Sequence, residues 1–136
     1  MIRDNPVLAL TPGEPAGVGP ECTVRLAYEH PELRLLAIAD PQLLNSAANS
    51  LGMDVPVIPW QTGDDISAGR LYCFPQKLAR AINPGHPDPE NAAYVVNTIK
   101  SAVRLVRSGH AGALVTGPVH KLSLIHISEP TRPILV

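Results

Sequence analysis

The stretch that most restricts what this chain can fold into lies near its amino terminus, at residues 11–21. It reads Thr-Pro-Gly-Glu-Pro-Ala-Gly-Val-Gly-Pro-Glu, after an apolar run at residues 7–10 and before a run of helix-forming residues. Glycine reaches backbone angles that a Cβ forbids, and proline fixes φ. The pattern therefore predicts a strand, a stiff loop and a helix. Such a loop lies at the carboxyl end of a strand, where open α/β sheets bind their ligands.

This loop does not match the two common nucleotide-binding motifs. A Walker loop needs Gly-Lys-Ser or Gly-Lys-Thr, whereas Gly19 is followed by Pro20 and Glu21. A dinucleotide fingerprint that starts at Gly17 needs a third glycine where Cys22 stands. Two interpretations stay open: an anion-binding site at the amino terminus of the following helix, and a rigid turn without a ligand.

The rest of the chain alternates between apolar runs and amphipathic segments. Strands are predicted at residues 7–10, 35–39, 55–58, 71–74 and 113–116, and helices at residues 20–30, 41–51 and 90–108. Asp40 and Asp88, each followed by proline, are typical helix caps, and Pro56 favours an edge strand. The alternation predicts an α/β/α sandwich with a largely parallel sheet. In such a sheet the loops after residues 10 and 116 share one edge and can line one cleft.

Composition narrows the class of function. The 136 residues carry 11 basic and 12 acidic side chains, a balance that argues against a nucleic-acid or membrane partner bound through bulk electrostatics. No apolar run approaches the ~20 residues of a membrane span, and the amino terminus has no signal-peptide stretch. A cytoplasmic protein is therefore expected. Cys22 and Cys73 are interpreted as reduced, buried thiols, and His86 and the pair Asp64-Asp65 as parts of exposed turns.

Two blocks of sequence together resemble a known family. Residues 11–21 resemble the N-terminal signature of the 4-hydroxythreonine-4-phosphate dehydrogenases, enzymes of pyridoxal phosphate biosynthesis. Residues 112–121, Gly-Ala-Leu-Val-Thr-Gly-Pro-Val-His-Lys, resemble the strand-and-loop motif of the same family. The resemblance covers about residues 7–121. It predicts that residues 1–121 are the N-terminal part of the dehydrogenase domain, well under half of a family member.

The resemblance implies an isocitrate/isopropylmalate dehydrogenase-like fold, incomplete in this chain. It implies NAD- or NADP-dependent oxidation of 4-phosphooxy-L-threonine to a β-keto acid that decarboxylates to 3-amino-1-hydroxyacetone phosphate. A divalent metal (Zn, Mg or Co) would polarise the substrate hydroxyl. Family members act as homodimers, with metal ligands from both subunits. The implied partners are thus a phosphorylated small molecule and a second subunit.

Seven residues of the two loops are candidates for contact with substrate or cofactor: Glu14, Gly17, Gly19, Thr116, Gly117, His120 and Lys121. Lys121 could pair with a phosphate, and His120 could donate a hydrogen bond or relay a proton. Glu14 either faces solvent or accepts hydrogen bonds from nearby N–H groups. No catalytic or metal-ligating residue is assigned, because the histidines show no metal-ligand spacing such as His-Glu-x-x-His.

The sequence departs from the family after Lys121. Residues 122–136 stand where the family continues with a glycine-rich segment and a His-Thr-Glu motif, and they resemble translated sequencing-adapter DNA. His126 is therefore not assigned as a ligand. We expect a fragment without activity, in which residues 122–136 pack weakly. Two other interpretations stay open: a small anion- or nucleotide-binding α/β module without catalysis, and a structural domain whose Gly/Pro loops are only turns.

Overall fold

The structure, a computed structural model, describes residues 5–118. Its elements are, in order, β1 (Val7–Thr11), α1 (Gly19–Glu29), β2 (Arg34–Ala39), α2 (Pro41–Leu51), β3 (Val57–Pro59), β4 (Leu71–Pro75), α3 (Ala92–Arg107) and β5 (Ala113–Thr116). Every predicted strand and helix is present. The third helix differs at its start, where Pro89–Asn91 forms a 3₁₀ turn. The turn forms because Asn91 N donates to Asp88 O, at 2.9 Å, before the α-helical bonds begin.

The five strands form one sheet in the order β3-β4-β2-β1-β5. All four pairings between these described strands are parallel, which confirms the predicted parallel sheet. β3 lies at one edge, as Pro56 indicated. Proline has no N–H to donate to a neighbouring strand, so it is disfavoured in central strands. β5 lies at the other edge. The carboxyl ends of all five strands meet along one side of the sheet.

Helices cover both faces of the sheet. On one face, Leu35 and Ala37 of β2 join a core cluster with Leu44 of α2. On the other face, the alternate residue Leu36 packs in a cluster with Ala102 of α3. A central strand that is covered on both sides reads as a continuous apolar run, which is what residues 35–39 show. The predicted α/β/α sandwich is confirmed.

Three predictions about single residues have different outcomes. Cys73 is buried in β4, as expected, but Cys22 is exposed, so the prediction of a buried thiol is wrong there. The reason is the rotation of α1, which turns Thr23 and Val24 towards the core and the preceding residue outwards. His86 is exposed, as predicted. In the described part of the chain, no helix combines the length and apolar character needed to cross a membrane.

Candidate functional site

Two loops form the candidate site. The first loop, residues 12–18, connects β1 to α1, and the second loop follows β5 and is described as far as Pro118. They start side by side because β1 and β5 are neighbouring parallel strands, with Thr11 opposite Thr116. The structure thus confirms that both loops lie at the same edge of the sheet.

Main-chain hydrogen bonds join the two loops into one piece. Gly117 N donates to Thr11 O at 2.7 Å, and Glu14 N donates to Pro118 O at 2.8 Å. Both bonds bridge segments from opposite ends of the described chain. The first loop is therefore held by the second, and not by α1 alone.

Close backbone contacts account for three glycines of the site. A Cβ on Gly19 or Gly117 would overlap the carbonyl oxygen of Pro12, and one on Gly13 would overlap that of Pro118. Gly13 also has a φ of 85°, in the left-handed region. The missing side chains at Gly13 and Gly117 are thus required by the packing of the two loops on each other, and the one at Gly19 by the packing of the first loop against the start of α1.

Glu14 is buried inside the first loop, with 8% of its surface exposed. Its Oε2 accepts a hydrogen bond from Ala16 N at 3.3 Å, and its carbonyl oxygen accepts one from Gly17 N at 3.0 Å. Of the two roles left open by the sequence, the structure shows the bond to a nearby N–H group. None of the ion pairs among residues 5–118 includes this carboxylate.

The candidate residues differ in their access to a ligand. Gly17 and Thr116 are exposed, Gly117 is half-buried and Gly19 is buried. His120 and Lys121 lie outside the described residues, and so do residues 122–136. Gly17 and Thr116 are therefore the most exposed of the candidates among residues 5–118.

Two cavities open at this edge of the sheet. The first, of about 260 Å³, lies between the two loops and α1, and its lining includes Cys22, Thr116 and Gly117. The second, of about 400 Å³, lies between the first loop, α2 and residues 82–85. Neither lining contains a lysine or arginine from the described residues. A further cavity of about 460 Å³, beside Asp54 and Arg70, lies at the opposite edge and holds none of the candidates.

A third segment of the site was missed by the sequence analysis. This segment, residues 76–90, connects β4 to the start of α3 and is called the strap. Leu78 N donates to Asp40 Oδ2 at 3.0 Å, and Gly85 N donates to Ala16 O at 2.9 Å. The strap therefore lies across the carboxyl edge and contacts the first loop. The prolines of this segment are typical of turns but do not show which surface the segment covers.

Asp40 has a second role that its capping pattern did not indicate. Its Oδ1 accepts from Gln42 N at 2.9 Å, which confirms the predicted helix cap, while Oδ2 holds the strap. Its main-chain N–H donates to the hydroxyl of Tyr94 at 2.9 Å. Burial raises the pKa of the neighbouring Cys73 thiol to about 12 and also raises the pKa of the Tyr94 phenol. Both groups are therefore protonated at neutral pH and serve the packing of this edge.

Thr11 carries a buried hydroxyl without a hydrogen-bond partner among residues 5–118. The residue is 1% exposed. Val7 and Ala9 of the same strand pack in the cluster that contains Ala102 of α3, and the alternation along β1 places Thr11 on that face. Sequence patterns do not show whether a buried hydroxyl is paired, so this feature could only be found in the structure.

The described residues provide no set of metal ligands. No group of three or more His, Cys, Asp or Glu side chains in residues 5–118 is arranged to hold a metal ion. The divalent metal implied by the resemblance therefore does not fit this part of the chain.

Comparison with known proteins places this geometry in a family. A sequence profile described as "Pyridoxal phosphate biosynthetic protein PdxA" matches residues 32–129, more than half of the chain. The chain belongs to the PdxA family. This confirms the resemblance that residues 11–21 and 112–121 indicated.

Curated relatives of this PdxA-family chain are named 4-hydroxythreonine-4-phosphate dehydrogenase. The protein from Xanthomonas oryzae pv. oryzae is 46% identical over 118 residues, and the protein from Saccharophagus degradans is 42% identical over 117 residues. Each match covers 85% of this chain but only 36% and 35% of the respective relative. The chain thus spans about a third of the length of the curated relatives it matches.

Solved structures support the fold of the PdxA-family chain. A 4-hydroxythreonine-4-phosphate dehydrogenase from Burkholderia phymatum superimposes with a TM-score of 0.82 at 27% identity, covering 96% of this chain and 42% of that one. The enzyme of the same name from Klebsiella pneumoniae gives 0.81 at 18% identity, and covers 96% and 42% of the two chains. The second likeness shows the fold alone. The isocitrate/isopropylmalate dehydrogenase-like α/β fold is therefore confirmed.

Proposed function

We propose that this chain is the N-terminal part of an NAD- or NADP-dependent 4-hydroxythreonine-4-phosphate dehydrogenase. The reaction is oxidation of 4-phosphooxy-L-threonine to a β-keto acid that decarboxylates to 3-amino-1-hydroxyacetone phosphate, in pyridoxal phosphate biosynthesis. The observation that supports this most is the 42–46% identity to dehydrogenases of that name across 85% of the chain. We further propose that the 136-residue chain is inactive by itself.

In this reaction the described residues contribute a binding edge. We propose that the main chain at Gly17 and the hydroxyl of Thr116, both exposed, contact substrate or cofactor. Because no basic side chain from residues 5–118 lines either cavity of this edge, we propose that Lys121 pairs with the phosphate and that His120 forms a hydrogen bond to the ligand. Glu14, Gly19 and Gly117 hold the loops in place beneath the ligand.

The cofactor fits this edge in part. α1 starts at Gly19 without a side-chain cap. Pro20 has no N–H and Cys22 N donates to Val18 O, so the main-chain N–H groups of Gly19 and Glu21 are the ones left for an anionic group such as a phosphate. A bound nicotinamide would accept the hydride removed from the substrate. The divalent metal has no ligand set in residues 5–118, and we propose that its ligands belong to a longer protein. The homodimer and the cytoplasmic location stay predictions.

Activity of a restored protein tests the proposal. Two proteins are compared: the 136-residue chain, and a chain in which residues after Lys121 are replaced by the sequence recovered downstream at the same locus. The assay is NADH or NADPH formation from 4-phosphooxy-L-threonine with Mg²⁺, Zn²⁺ or Co²⁺. We expect turnover on the order of 1 per second or more from the restored chain only. Ligand binding without oxidation by the restored chain would instead support the binding-module interpretation.

A further inference from the structure

We infer that Asn91 is a positioning residue of the candidate site, because it fixes the strap whose tip forms one wall of the 400 Å³ cavity. The inference deepens the proposed function and rests on it only for the identity of the ligand. It adds to the site a residue from the start of α3, outside both loops.

Both polar atoms of the Asn91 side chain form hydrogen bonds to the strap. The residue is 2% exposed. Its Oδ1 accepts from Ala79 N at 3.1 Å and from Arg80 N at 2.9 Å, and its Nδ2 donates to Arg80 O at 3.2 Å. A buried amide that loses such partners carries the cost of its desolvation without compensation. The turn at residues 79–80 is therefore held firmly against α3.

The position of Asn91 makes this use of its side chain informative. Asparagine at the N-cap of a helix usually accepts a hydrogen bond from the first turn. Asn91 is the N-cap residue of α3, yet its side chain makes no capping bond. The amide thus serves the strap and not the helix.

Asp40 fixes the same turn from the opposite side. Its Oδ2 accepts from Leu78 N at 3.0 Å, directly before the two residues that Asn91 holds. The two anchors stand at the starts of α2 and α3, which pack on opposite faces of the sheet. Ion pairs of Arg80 with Asp88 at 3.6 Å and with Glu90 at 3.5 Å are exposed, and such pairs contribute little.

The tip of the strap depends on these anchors. Ile82, Pro84 and Gly85 line the 400 Å³ cavity opposite Pro15 and Ala16 of the first loop. The bond from Gly85 N to Ala16 O, at 2.9 Å, is the main-chain hydrogen bond that joins the tip to that loop within the described residues. The position of the anchored turn therefore determines where the tip lies, and so how wide the cavity is.

Amide hydrogen exchange of the 136-residue chain, resolved by residue, tests this inference. Asn91→Leu keeps the branching and the number of side-chain heavy atoms but has no hydrogen-bonding groups, and we expect faster exchange at Ala79, Arg80 and Gly85 by about tenfold or more, relative to the core amide of Leu36. The exchange rate of Gly85 is decisive, because the substitution does not alter Ala16 O, the acceptor of the Gly85 N–H. Asn97→Leu, on the exposed side of α3, is the matched control and should leave all three unchanged.

Two results would overturn the positioning role. One is faster exchange at Ala79 and Arg80 with Gly85 unchanged, which makes Asn91 a local contact only. The other is a rise at Gly85 that merely equals the rise at Leu36, which reports global unfolding. If Asn91→Leu does not fold, Asn91→Asp carries the same comparison, because it keeps the oxygen acceptor, loses the N–H donor and places a buried carboxylate oxygen against Arg80 O. These measurements need neither substrate nor cofactor, so they are independent of whether the dehydrogenase proposal holds.

Discussion

Glu14 N donates a hydrogen bond to Pro118 O at 2.8 Å. This bond joins the two sequence blocks by which the family is recognised, at opposite ends of the described chain. The parallel pairing of β1 with β5 brings the blocks together, and the glycines allow their backbones to touch. In this chain, the two blocks that resemble the family are therefore joined by the packing of the two loops on each other.

The glycines of the first loop should differ sharply in their tolerance of alanine. We expect Gly19→Ala to destabilise the fold by about 2 kcal/mol or more, because its Cβ would overlap Pro12 O and the backbone must move. At Gly17 the nearest atom is Glu14 O at 3.4 Å, so Gly17→Ala should stay within about 0.5 kcal/mol. Urea unfolding of both variants measures the difference. Equal effects would show that the loop contact is not close.

The buried hydroxyl of Thr11 should lower the free energy of unfolding of the protein. Thr11→Val keeps the shape of the side chain and removes a buried polar group without a partner among residues 5–118, so we expect a gain of about 1 kcal/mol. Thr23→Val is the matched control. Its hydroxyl is buried and donates to Gly19 O at 2.9 Å, so the same change should destabilise by about 1 kcal/mol. Loss of stability in Thr11→Val would mean that the hydroxyl has a partner.

The two capping aspartates should contribute unequally. Asp40 accepts hydrogen bonds from Gln42 N and Leu78 N, whereas Asp88 Oδ1 accepts from Glu90 N. We expect Asp40→Ala to cost about 2 kcal/mol and Asp88→Ala about 1 kcal/mol. Thermal and urea unfolding measure both variants. A larger loss for Asp88→Ala would contradict the role of the strap contact.

Alkaline pH should weaken the fold through Cys73. Burial raises the pKa of this thiol from 9.0 to about 12, so above pH 9 the unfolded chain loses a proton that the folded chain keeps. The free energy of unfolding therefore falls as pH rises from 9 towards 12, by up to about 1.4 kcal/mol per pH unit for this group. Tyr94, whose pKa is also raised by burial, adds to the fall above pH 10.

Substitution of each cysteine isolates the contribution of the buried thiol. Cys73→Ala should flatten the decline of unfolding free energy between pH 9 and 11, although the variant is less stable at pH 7 because of the cavity. Cys22→Ala, at an exposed position, should leave the slope unchanged. Identical slopes for all three proteins would assign the alkaline instability to other groups.

Much of the fold could be predicted because the local signals agree with each other. Aspartate-proline caps, a glycine after α2 and continuous apolar runs mark the elements, and the alternation of strands and helices implies the parallel sheet. What the sequence did not show depends on contacts between distant segments. The exposure of Cys22 depends on the rotation of α1, and the role of Asn91 depends on a turn eleven residues earlier in the chain. Neither of these two features produces a periodic pattern in the sequence.

The candidate site was predicted in the same uneven way. Thr116 and Gly17 are placed at one edge, as the parallel sheet required, since strand order and direction decide which loops meet. The strap was missed, because residues 76–90 contain turn-forming residues without any indication of the surface they cover. His120 and Lys121 stay predictions, outside the described residues.

Long-read sequencing of the locus across the codon of Lys121 tests the central claim most directly. The family profile runs past Lys121 to residue 129, whereas we propose that residues 122–136 are foreign to the family and that a dehydrogenase sequence belongs in their place. We predict that the frame continues after Lys121 into a glycine-led segment that ends in His-Thr-Glu. An intact frame that encodes residues 122–136, followed by a true stop codon, would contradict this.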